Sequence, residues 1–128
     1  MRARIAVTSI VLSACVWLLG CTDAAKLPLD RISPDQARDQ AQRMTVEQLT
    51  ERVKAYVLEI RGKKVEQAKI AADLAALDPQ AAPIADVEKL KTRQTEVGMT
   101  LAALVERYQI FFNQLKRRGA KTDDLRID

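Results

Sequence analysis

Few side chains in this 128-residue chain could carry covalent or acid-base chemistry: there are two cysteines, Cys15 and Cys21, and no histidine. A thiol can be acylated, oxidised or bound to a metal, but many catalytic and transition-metal centres working near neutral pH draw on histidine or on several thiolates together. Neither resource is at hand. No glycine-rich phosphate loop, EF-hand spacing or Ser-His-Asp set appears. Paired carboxylates such as Asp123-Asp124 lie in a polar C-terminal stretch, where solvation is their ordinary fate. The chain therefore reads as non-enzymatic, with no metal site and no cofactor.

The chemistry left to explain is at the N-terminus. Arg2 and Arg4 precede an almost wholly apolar run from Ile5 to Leu19, and Gly20 places a small residue before Cys21, which together form a secretory signal. Leu18-Leu19-Gly20-Cys21 resembles the lipobox of bacterial lipoproteins. The resemblance implies a signal peptide over 1–20, a diacylglycerol on the Cys21 thiol, and a fatty acyl chain such as palmitate on the new amine. Leu12-Ser13-Ala14-Cys15 also fits, so Cys15 is the alternative attachment site. Cleavage there would leave Val16-Trp17-Leu18-Leu19 where a polar tether is wanted. At fifteen residues the apolar run falls short of the ~20 that span a bilayer. Each buried methylene contributes about 0.8 kcal/mol, so two or three chains hold a protein on a membrane almost permanently. Thr22, in place of the Asp linked to inner-membrane retention in well-studied Gram-negative lipoproteins, implies the outer membrane, facing the periplasm.

Removing Arg2 and Arg4 takes the 21 basic residues to 19 against 17 acidic ones, a net charge near +2, so the overall charge is no argument for nucleic acid. After Cys21, residues 21–32 read as a flexible tether. Ser33-Pro34-Asp35-Gln36 is a capping box with proline at the first helical position, and Thr45 with Gln48 forms a second, stapled by Met44 and Leu49. Helix is expected over 34–77, with a break near residue 44 left open. Its first part has a thin apolar stripe of Ala37, Ala41 and Met44.

From Val46 a heptad seam runs through Leu49, Val53, Tyr56, Ile60, Lys63, Gln67, Ile70, Leu74 and Leu77. Asp78-Pro79 stops it. A second seam, Val87, Leu90, Gln94, Val97, Leu101, Leu104, Tyr108, Phe111, Leu115 and Arg118, belongs to a helix over 83–118 that ends in Lys116-Arg117-Arg118-Gly119. The expected fold is all-α: an antiparallel two-helix coiled-coil hairpin over 33–119, with a short N-terminal helix or helical extension and a polar tail over 120–128.

Antiparallel pairing puts residues i and j level when i + j is near 160. Lys63, Gln67 and Gln94 then share a height, as do Gly62 and Gly98. Two readings stand side by side. The polar residues fix register and the glycines are merely tolerated, or the layer is a specificity site with close backbone approach. Off-seam apolar residues, Val57, Leu58, Val65, Val105, Ile110 and Phe112, suggest a second face for the 34–44 segment, another copy or another envelope protein. The expected partners are thus the bilayer through acylated Cys21, and a homo-oligomer or a second envelope protein. The basic groups Arg61, Lys63, Lys64 and Lys116, Arg117, Arg118, Lys121 support an alternative role in binding anionic lipid headgroups or cell-wall polymer. The architecture also resembles the small helical outer-membrane lipoproteins that join membrane to peptidoglycan. That family's covalent link uses a C-terminal lysine, and Asp128 stands here, so the linkage is not carried over.

Overall fold

A computed structural model describes residues 28–78 and 80–127, and among them the secondary structure is helical throughout: α1 Pro34–Arg43, α2 Val46–Ala76, α3 Ile84–Arg117 and a 3-10 turn Asp123–Leu125. Both capping boxes form. Ser33 Oγ accepts from the Gln36 amide at 3.2 Å while Gln36 Oε1 accepts from the Ser33 amide at 3.0 Å, and Thr45 and Gln48 repeat the exchange at 3.3 and 3.0 Å. The second box decides the question at residue 44. Met44 is extended (ψ 147°), so α1 and α2 are separate helices. α3 ends as its composition dictates: Gly119 takes φ 75°, and the amides of Gly119 and Ala120 close back on the carbonyls of Lys116 and Leu115.

The two long helices, ~46 and ~51 Å at 1.5 Å per residue, pack against each other. Tyr56 stacks on Phe111 at 5.5 Å between ring centroids, and Glu66 meets Arg93, so rising numbers on α2 face falling numbers on α3. α1 lies against α3. Ala37 and Ala41 are buried there, since a small side chain lets one backbone approach another. α1 thus covers part of the second face of α3, where Val105, Ile110 and Phe112 are half-buried, while Leu58 and Val65 on α2 stay 70% exposed.

Two segments differ from expectation. The last residues of the supposed tether, Pro28 to Ile32, are folded onto the helices: Ile32 is fully buried, the Tyr56 hydroxyl donates to the Leu29 carbonyl at 3.1 Å, and Arg107 Nε donates to the Ile32 carbonyl at 2.8 Å. The tail is also docked. Leu125 is buried, the Tyr108 hydroxyl donates to its carbonyl at 2.8 Å, and Lys64 Nζ donates to the Ile127 carbonyl at 2.8 Å. The cause is common to both. Tyr56 and Tyr108 bring phenolic hydroxyls into an apolar seam, each needs an acceptor, and flanking non-helical chain has carbonyls to offer.

The molecule therefore has two parts. A base, built from the first half of α2 and the last half of α3, is wrapped by α1 and by both flanking segments, and holds one cluster of thirteen buried residues. Beyond Ile60 and Leu104 the two helices continue as an arm, where Ile70 and Val97 are the buried residues. Among the described residues no helix is long and apolar enough to cross a membrane.

Candidate functional site

Cys21 and its alternative Cys15 lie outside the described residues. The other sequence-derived candidates are at the root of the arm. Lys63 and Gln67 on α2 and Gln94 on α3 are half-buried. The bridge across this layer is made by a residue the seam pattern passed over. Glu66 Oε2 accepts from Lys63 Nζ at 2.9 Å, and its Oε1 accepts from Arg93 Nη2 at 2.9 Å and Nε at 3.3 Å. Glu66 and Arg93 are each one position before a seam residue, where helices of a coiled coil exchange salt bridges, so heptad position alone could have flagged them.

The electrostatics follow from this geometry. The hydrogen bond from Lys63, with that from Arg93, holds the Glu66 carboxyl below the usual carboxylate range, and the same hydrogen bond raises Lys63. A carboxylate held by two cations is a poor general base, and its direct effect is on register: sliding one helix by a heptad would separate Glu66 from Arg93. Gly62 is exposed and Gly98 half-buried, and a Cβ added at either would meet nothing within 4 Å. Neither glycine is a point of close helix approach. They are positions where the helix lacks a side chain that it could hold.

The base offers two further features. Tyr56 is fully buried, which pushes its phenol up to about 12. An open groove of about 820 Å³ lies at the corner of α1 and α2, lined by Leu29, Met44 and Ala55 among mixed charges, with Gln40 on its wall. Gln40 Oε1 is buried there without a hydrogen-bond partner among the described residues. Among those residues, too, no group of three or more His, Cys, Asp and Glu side chains is placed to hold a metal ion.

Set against protein families, curated proteins and solved structures, the chain has no match. The functional reading rests on its own residues.

Proposed function

We propose that this chain is a non-enzymatic, lipid-anchored protein of the bacterial envelope, an antiparallel coiled-coil hairpin that works as a scaffold or interaction module. The observation that carries the interaction role is the arm. Its helices extend beyond the wrapped base with Ile70 and Val97 as buried residues, while Val65, Ile84 and Met99 are 62–77% exposed. A hairpin built only to be stable gains little from such an extension, because two helices alone bury one narrow stripe each. A surface offered to a partner has a use for it. The anchor rests on the Leu18-Leu19-Gly20-Cys21 motif, and the non-enzymatic reading on a composition without histidine.

Two measurements test this. Mass spectrometry of the membrane fraction should find a mature chain beginning at a lipidated Cys21, and an unlipidated chain beginning at Ala25 would overturn the anchor. Sedimentation of the form lacking residues 1–21 should show self-association, or retention of another envelope protein that a shortened arm fails to hold. A monomer at high concentration, with no partner lost on shortening the arm, would overturn the interaction role.

A further inference from the structure

The fold separates charge along its length. Arg118 Nη2 donates to the Gln42 carbonyl at 2.8 Å, which joins the C-terminal ends of α1 and α3 at the foot of the base. Arg43, Lys116, Arg117, Arg118 and Lys121 are all exposed there, and none has a carboxylate partner within 4.0 Å among the described residues. The acids nearest Arg43 are Asp39, one turn earlier on α1, and Glu47 and Glu51, which line the same groove, so the cations outnumber the acids at the foot without excluding them. From Tyr108 to Lys121 the chain carries four cations and no acid, whereas from Ile70 to Glu88, around the arm tip, it carries Asp73, Asp78, Asp86 and Glu88 and no cation.

Chain length limits how such a molecule can sit on its membrane. Cys21 is seven residues before Pro28, so at most ~24 Å of extended chain joins the anchor to the fold. The Leu29 carbonyl is held at Tyr56. From there α2 runs ~16 Å back to Thr45 at the foot, and ~32 Å forward to Leu77 at the tip. The foot lies within reach of the bilayer. An orientation resting on the tip, with the base above it, does not.

We propose that the protein stands on anionic phospholipid headgroups by the cationic foot of its base, with the acidic arm tip directed away from the bilayer. This rests on the lipid-anchored reading above. Charge complementarity selects the standing pose over one lying flat, because the tip's four carboxylates are repelled by the surface that attracts the foot. The arm is thereby held out from the membrane toward its partner.

The test uses the full-length lipoprotein in vesicles of phosphatidylglycerol and phosphatidylethanolamine, labelled at the tip through Gln80→Cys, with energy-transfer acceptors in the headgroup plane. Wild type should show low transfer, while Lys116→Gln/Arg117→Gln/Lys121→Gln should raise it, as should phosphatidylcholine vesicles or high salt. A second variant leaves the foot intact: Asp78→Lys/Asp86→Lys should also raise transfer by drawing the tip down. The chain beginning at Thr22, which contains every described element, should bind the anionic vesicles roughly a hundredfold more tightly than its triple-glutamine form, at about fivefold per cation. Transfer unchanged in both variants, or sedimentation with cell-wall polymer in preference to vesicles, would overturn the proposal while leaving the anchor in place. Release of the full-length protein from membranes by salt alone would overturn the anchor and this pose together.

Discussion

Base and arm are built from the same two helices and the same heptad seam, yet they bury their residues differently. In the base, Leu49, Val53, Tyr56, Ile60, Leu104, Phe111 and Leu115 are at most 1% exposed. In the arm, Leu74, Leu77, Val87 and Leu90 occupy equivalent seam positions and remain half-exposed. The difference is the third layer. Two helices alone exclude water from one line of contact, whereas α1, Pro28 to Ile32 and the tail close the sides of that line. A seam pattern thus marks where helices meet, and burial depends on what covers the meeting.

That contrast can be broken by mutation. Phe111→Ala, in the base, should cost about 3–5 kcal/mol of unfolding free energy, and Leu74→Ala, in the arm, well under half of that, both read from denaturant midpoints. Equal losses would show one uniform core. The next largest effect is alkaline. Burial raises the Tyr56 phenol to about 12, so the folded state keeps it protonated; that stability is whole below the unfolded value near 10 and is lost as pH climbs to 12. Tyr56→Phe should remove about 2–3 kcal/mol of the wild-type loss over this window, measured as melting temperature against pH.

Smaller effects sharpen the account of the arm and its root. Gly62→Ala and Gly98→Ala should each stabilise by about 0.5–1 kcal/mol, because open space surrounds both and helix interiors disfavour glycine. Gly119→Ala should act in the opposite direction by about 1 kcal/mol, since its φ of 75° suits glycine. Deleting one heptad from each helix, residues 67–73 and 87–93, should shorten the arm by ~10 Å while changing base unfolding by no more than about 1 kcal/mol. A collapse of the base would show that the arm supports it. Smallest is Glu66→Gln. The lowered carboxyl contributes stability above the ordinary carboxylate range and loses it as pH falls through its folded value, so the variant should lack that acid-side slope in a thermal melt.

The local structure was legible because its signals are short-range. Ser33 and Gln36, or Thr45 and Gln48, satisfy each other within one turn, and Gly119 needs only its own missing Cβ to end α3. Glu66 and Arg93 stand at the charged heptad positions beside the seam, so their pairing follows from spacing once the register is set, although no apolar period marks them. Ile32 and Leu125 were not legible at all. Each is an isolated apolar residue in polar chain, without a period to mark a buried face, and each is buried where a tyrosine hydroxyl meets a backbone carbonyl, that of Leu29 near Ile32 and that of Leu125 itself.

By itself, then, the sequence determined the helices, the two capping boxes and the glycine that ends α3, since each follows from residues spaced by a turn. Only the tertiary structure decided that α1 docks on α3, that both flanking segments close the base, and that the arm remains a bare pair. Those outcomes depend on which surfaces meet across tens of residues, as when Arg118 reaches the Gln42 carbonyl and Lys64 the Ile127 carbonyl. No local spacing encodes such a meeting. It depends on a balance of burial and hydrogen bonding that exists once the helices have packed.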